Sequence, residues 1–169
     1  MKYFQPDFEF NHFSDITEDW LKKHGIRFIF SDLDSTLAVH DQVGDKEVER
    51  WVSLLKKNNV TLAIVSNNSQ GRVDKFANAY GIIGYGMMNK PFAYKLKAKM
   101  KELGATKENS LFLGDQLFTD IWCGKRLGIK TALVKPIGEE HEPWNIRFKR
   151  VFERIIKKTW ERKGDNDGR

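Results

Sequence analysis

Two aspartates separated by one residue, with a serine and a threonine directly behind them, close the run RFIFSDLDST at Arg27–Thr36. Asp32 and Asp34 stand at the end of what reads as a buried β-strand, where residues two apart project to the same side. Crowded carboxylates have a use where they bind a cation, or where one attacks and the other moves a proton. Later segments deliver matching groups: Ser66 and Asn67 after VTLAIV, Lys90 in NKP, then Asp115 and Asp120 in GDQLFTD. Acids, a hydroxyl and one lysine on one edge are the inventory of phosphoryl transfer with Mg2+.

Each group then has a task. Asp32 attacks phosphorus in line and forms an aspartyl-phosphate, while Asp34 gives a proton to the leaving oxygen and later takes one from water. Ser66 and nearby backbone N–H groups hold the transferring oxygens, and Lys90 balances their charge. Mg2+ between Asp32 and Asp115 cancels the repulsion between nucleophile and phosphate. Thr36 and Asn67, beside these groups, are expected to contact the substrate.

The elements that must position these side chains follow from the pattern of short apolar runs alternating with amphipathic segments, which predicts an α/β protein with a parallel sheet. Strands are expected at 26–32, 60–67, 82–88, 110–115 and 130–136. Their lack of polar alternation predicts cover on both faces. Helices are expected at 46–57, 70–80, 91–103 and 119–127, the last three closed by Gly81, Gly104 and Gly128. A short helix is expected at 15–24, capped by Asp15 or Thr17. A longer basic one is expected at 144–163, with Phe148, Val151, Phe152, Ile155, Ile156 and Trp160 as a stripe packed on the body of the protein. In parallel α/β sheets ligands bind at the carboxyl ends of the strands, and all the acids named above fall there.

The order DLDST, VSNNS, NKP and GDQLFTD resembles that of the haloacid dehalogenase (HAD) phosphatase superfamily, over about residues 26–136. The resemblance implies a Rossmann-like fold with a central parallel sheet flanked by helices. It also implies Asp32 as nucleophile, Asp34 as acid/base, and Mg2+ held by Asp32, the carbonyl of Asp34 and Asp115. Asp120 would support the metal or its waters, and a turn and hairpin flap would follow Thr36. PDFEFNHFSDIT, SNNS and PWNIRFKRVFERIIKK are similar to the YqeG-like branch, class IIIA, across nearly the whole chain. Relatives of that branch include phosphatidylglycerophosphate phosphatases, so this lipid is the leading substrate that the resemblance implies. Ser35 stands where many relatives carry Asn or Gly.

The 31 residues from Thr36 to Ser66 are used up by a turn, a helix and a strand, and the stretch from Ser66 to Lys90 by a helix and a strand, so no cap domain fits. An open site suits a bulky or membrane-held substrate, unless a second copy of the chain supplies a lid.

The 169 residues are read as one domain, with the segment 1–25 and the helix at 144–163 beside the core and a disordered tail at 164–169. The formal charge of +6 favours an anionic partner without selecting one, and no nucleic-acid-reading motif is present. One cysteine excludes an internal disulfide and fits the cytoplasm, and Cys123 reads as a small buried residue. No signal peptide is apparent, and no apolar run reaches the ~18–20 residues of a membrane span. The basic C-terminal helix could still meet anionic lipid at the inner membrane face. Two other readings stay open: a phosphatase of small soluble phosphomonoesters, and a non-catalytic phosphate-sensing module. His40 and His141 are read as surface residues.

Overall fold

The computed structural model describes residues 2–138, 150 and 152–158. Six strands, β1 (Phe8–Phe10), β2 (Phe28–Ser31), β3 (Thr61–Val65), β4 (Ile83–Tyr85), β5 (Ser110–Gly114) and β6 (Lys130–Val134), form one sheet in the order β1-β6-β5-β2-β3-β4. Every pairing is parallel; Phe28 of β2 faces Thr61 of β3 on one side and Ser110 of β5 on the other. The helices are α1 (Glu18–Lys23), α2 (Lys46–Lys57), α3 (Gln70–Tyr80), α4 (Tyr94–Leu103) and α5 (Trp122–Leu127).

Neighbouring residues of the central strands feed opposite cores. Ile29 packs with Leu21 of α1, Trp51 and Leu55 of α2 and Phe76 of α3, whereas Phe30 packs with Leu96 and Met100 of α4 and Cys123 of α5. Both faces are covered, so the strands show no polar alternation. Each fully buried Phe or Ile contributes about 1.5–3 kcal/mol.

The helix signals act as expected at most ends. Asp45 caps α2 by accepting from the N–H groups of Glu47 and Val48, and Thr17 caps α1 by accepting from Trp20. Gly81, Gly104 and Gly128 close α3, α4 and α5 in the left-handed conformation. Two starts differ. Helix α4 begins at Tyr94 rather than Pro91, because the Phe92 N–H donates back to the carbonyl of Asn89 and closes a turn over Lys90 and Pro91. The segment 119–127 divides into a π-helical turn, Leu117–Ile121, and α5.

Strand β1 is not legible as a strand in the sequence, being three residues long between Pro6 and a turn. It joins the sheet edge beside β6, and Phe13 and Ile16 behind it enter the core. The hairpin flap after Thr36 is absent: residues 35–42 form turns closed by one bridge between Asp34 and Ala38.

The C-terminal stripe also needs correction. Arg150 and residues 152–158 are helical, but Phe152 and Ile155 are 58% and 56% exposed, while Arg150 and Glu153 are buried. The helix turns a polar pair inward because that pair finds partners at the strand ends. Residues 144–149, Val151 and 159–163, the tail at 164–169 and His141 lie outside the described residues.

From β2 the chain moves outward to β3 and β4, then crosses back to place β5 on the other side of β2. This topological switch point opens a crevice at the strand ends between β2 and β5. Asp32 and Asp115 are the residues that immediately follow those two strands.

Candidate active site

Asp32 still pairs with β5, its N–H donating to the carbonyl of Leu113 at 2.9 Å. The next residues turn sharply. Leu33 is buried, and its carbonyl accepts from the N–H groups of Thr36, Leu37 and Ala38. Ser35 has φ of 66°, a left-handed conformation that Gly and Asn adopt more readily than Ser. The turn leaves Asp32 and Asp34 at one cavity and sends Thr36 inward, where its Oγ1 donates to Asp115 Oδ1 at 2.9 Å.

Lys90 enters from the loop after β4. Its Nζ lies 2.9 Å from Asp32 Oδ1 and 2.7 Å from Asp120 Oδ1, with the side chain 3% exposed. Asn67, just beyond β3, clamps the backbone of Lys90, accepting from its N–H at 2.6 Å and donating to its carbonyl at 2.9 Å. Ser66 Oγ accepts from the N–H of Asn68 and faces the cavity.

Asp120 sits in the π-helical turn, fully buried. Its Oδ2 accepts from the N–H of Gln116, so it caps the turn and faces Lys90 at once. Gly114 makes room for it: a Cβ there would lie 2.3 Å from the Cβ of Asp120. Asp115 is held from the C-terminal helix. Arg150 Nη2 bonds its Oδ2, and Arg150 Nη1 donates to its backbone carbonyl at 3.2 Å. Glu153, one turn on, accepts from the N–H of Phe118 at 3.1 Å.

Burial dominates the electrostatics here. It pushes Asp115 up to about 6, against the lowering effect of Arg150. It also raises Asp32 well above the ordinary carboxylate range, with Asp120 and Asp115 adding to the rise and Lys90 opposing it. Burial works against the Lys90 ammonium, but the carboxylates of Asp120 and Asp32 outweigh it and hold its pKa above the usual value. Glu153 is pushed up to about 7 by desolvation. The Cys123 thiol, fully buried, is pushed up to about 12 by the same cause.

Asp34 has a different set of neighbours. Its Oδ1 accepts from Arg72 Nη2 at 2.8 Å and from the N–H of Asp41 at 3.0 Å, and its Oδ2 accepts from Asn68 Nδ2 at 3.1 Å. Arg72 also donates to the carbonyl of Gln42, tying the turn after β2 to the start of α3.

A cavity of about 250 Å3 opens over this constellation. Its walls are Asp32, Asp34 and Ser35 from the first turn, Ser66, Asn67 and Asn68 from the second, and Lys90 from the third, with His40, Gln116 and Thr119 at the rim. The structure therefore brings together Asp32, Asp34, Ser66, Lys90, Asp115 and Asp120. Thr36 and Asn67, expected as substrate contacts, have polar atoms committed to Asp115 and to the Lys90 backbone.

Arg72, Asn68 and Arg150 carry no expectation from the sequence. Arg72 had a signal, since a cation in the first turn of a helix opposes the helix dipole and implies an anion nearby. Arg150 had none, because its partner lies 35 residues away.

The acids fit a hard divalent cation. One carboxylate oxygen each from Asp32, Asp115 and Asp120 lie within 4.8 Å of one another, an all-oxygen set of the kind Mg2+ takes. Three buried carboxylates face the cations Lys90 and Arg150, leaving an excess of negative charge.

The profile described as haloacid dehalogenase-like hydrolase matches residues 45–134. Probable phosphatase YqeG of Bacillus subtilis is 32% identical over 164 residues, covering 96% of this chain and 95% of its own. Phosphatidylglycerophosphate phosphatase 1 of Arabidopsis thaliana is 39% identical over 64 residues, which are 38% of this chain and 18% of that protein. Among solved structures, the cobalt-bound deoxy-D-mannose-octulosonate 8-phosphate phosphatase of Haemophilus influenzae superposes with a TM-score of 0.53 at 16% identity, covering 69% of this chain and 82% of that one. The 3-deoxy-D-manno-octulosonate 8-phosphate phosphatase of Yersinia pestis gives 0.52 at 19% identity, covering 68% of each. Both structural likenesses concern the fold.

Proposed function

Because the chain belongs to the haloacid dehalogenase-like hydrolases, and is a phosphatase among them, we propose that it cleaves phosphomonoesters through an aspartyl-phosphate on Asp32. The observation that carries this reading is the placement of Asp32 and Asp34 at one cavity with separate cationic partners, Lys90 and Arg72.

In the first half-reaction a carboxylate oxygen of Asp32 attacks phosphorus as the ester P–O bond breaks, and Asp34 protonates the leaving oxygen. In the second, Asp34 takes a proton from water, whose oxygen attacks phosphorus and releases inorganic phosphate from Asp32. The neighbours of Asp34 all donate hydrogen bonds to it, so to carry a proton in either half-reaction it must shed one of them. Ser66 Oγ and Lys90 Nζ face the cavity as partners for the phosphoryl oxygens. A divalent cation, Mg2+ in this reading, would be held by the carboxylates of Asp32 and Asp115 and the carbonyl of Asp34, with Asp120 in support, and would supply charge neutralisation between nucleophile and phosphate.

A lipid phosphate is the substrate class favoured here. The partial match to a phosphatidylglycerophosphate phosphatase supports it, and so does the segment bearing Lys90, where Met87 and Phe92 of the loop and Tyr94 at the start of α4 are exposed. The connections β2–β3 and β3–β4 hold only turns and one helix each, so no inserted cap covers the cavity. No described helix is long and apolar enough to cross a membrane. A peripheral approach to the membrane surface is consistent with that.

Phosphate release from a panel of lipid, nucleotide and sugar phosphates, with and without Mg2+, tests the reading. The wild type should need the cation and prefer the lipid, and Asp32→Asn should lose about 10⁴-fold or more in kcat. Full activity in Asp32→Asn would remove the nucleophile assignment, and faster release from a soluble ester would replace the lipid.

A further inference from the structure

We infer that Arg150 is a positioning residue that serves Asp115 as a built-in counter-cation, so that docking of the C-terminal helix and loading of a divalent cation oppose each other. The inference rests on the metal reading above and adds to it a residue outside the four sequence motifs.

Arg150 is 5% exposed and meets Asp115 twice, at Oδ2 of the carboxylate and at the backbone carbonyl. With Thr36 on Oδ1, both carboxylate oxygens of Asp115 already have donors. One of those oxygens belongs to the three-acid cluster within 4.8 Å. A cation joining that cluster meets a carboxylate whose charge is already balanced, and meets the like charge of a guanidinium as well. The repulsion acts in a buried site, where water screens little.

The same contact holds the helix. Phe152 and Ile155 are more than half exposed, and Phe152 only reaches the ring of Phe118 at a centroid distance of 6.2 Å. The buried contacts are polar, Arg150 on Asp115 and Glu153 on the Phe118 N–H, with Lys157 on Glu9 at 2.6 Å at the surface. Weakening the first removes the deepest of these ties. Binding equilibria are reciprocal, so the factor by which Arg150 weakens the cation is the factor by which the cation weakens docking. A substrate surface that draws the helix away would by the same linkage favour the loaded site.

Two measurements on the full chain decide it. Isothermal titration of Mg2+ and of Mn2+ into wild type, Arg150→Gln and Arg150→Lys should show tighter binding in Arg150→Gln, by about 5–150-fold, the usual range of such couplings. Arg150→Lys, which keeps the charge, should stay near wild type. Amide exchange of the wild type should then speed up at residues 150–158 on adding Mg2+. Affinity in a folded Arg150→Gln that is equal to or weaker than wild type would overturn the inference. Slower or unchanged exchange would overturn it too, and would decide the matter even if Arg150→Gln failed to fold. Absence of binding in wild type and in every variant would instead overturn the metal reading, and this inference with it.

Discussion

Asp32 and Asp34 are two residues apart and about equally buried, yet they belong to different neighbourhoods. Asp32 faces inward to Lys90, Asp115 and Asp120, where three acids share few cations. Asp34 faces the N-terminal turn of α3, where Arg72, Asn68 and a backbone N–H all donate to it. One flank is a buried cluster with excess negative charge; the other is a single carboxylate surrounded by donors. One strand end can therefore present two acids with opposite needs, an arrangement that separates a nucleophile from a proton carrier.

Exchanging the chemistry of one flank while leaving the other intact gives the sharpest test. Asp34→Asn should lower kcat by about 10²–10⁴-fold, and by less for a phosphate ester whose leaving group needs no proton. An equal loss for good and poor leaving groups would mean that Asp34 does not move the proton. Removing the cations should separate the flanks in stability. Lys90→Met leaves Asp32 and Asp120 buried without it and should cost about 3–5 kcal/mol in urea unfolding. Arg72→Met leaves Asp34 at the cavity wall with two donors and should cost about 1–2 kcal/mol. Equal costs would erase the distinction.

The buried flank should also carry the pH dependence. Burial raises Glu153 from 4.5 to about 7, so the folded state holds a proton there that the unfolded chain has released. Stability must then fall as pH rises through that window. Glu153→Gln keeps an oxygen for the Phe118 N–H and has no charge to bury. It should be near neutral at pH 4 and more stable than wild type at pH 8, by no more than about 3 kcal/mol. Thermal melts at the two pH values measure this, and a gain that is the same at both would contradict it.

Much of this was written in local sequence. The apolar runs at 28–31, 61–65 and 110–114 sit between turn signals and glycine stops, and each is followed at once by a residue of the site, Asp32, Ser66 or Asp115. β1 was not legible because FEF alone cannot declare a partner 124 positions away; the pairing is defined by β6. The C-terminal stripe misled in part: Phe152 reaches the Phe118 ring and Ile156 is half-buried, but the deepest partners at the strand ends, Asp115 and the Phe118 N–H, are polar and take Arg150 and Glu153. Periodicity reports which residues share a face, and the surface they meet decides which face turns inward. Thr36 and Asn67 show the same limit. Their positions were legible, but whether they would touch a ligand or a neighbouring residue depends on distances the sequence does not hold.

The amide of Asn67 has a consequence for how the chain can be lengthened. It grips both sides of the Lys90 peptide unit across 23 residues, so the position of the lysine is referred to the end of β3 and not to the path between. The connection through α3 and β4 can accept or lose residues at its surface turns while its far end stays pinned. A segment grafted there, of whatever length its own folding allows, would hang over the cavity mouth from a fixed anchor and leave the charge beneath it in place.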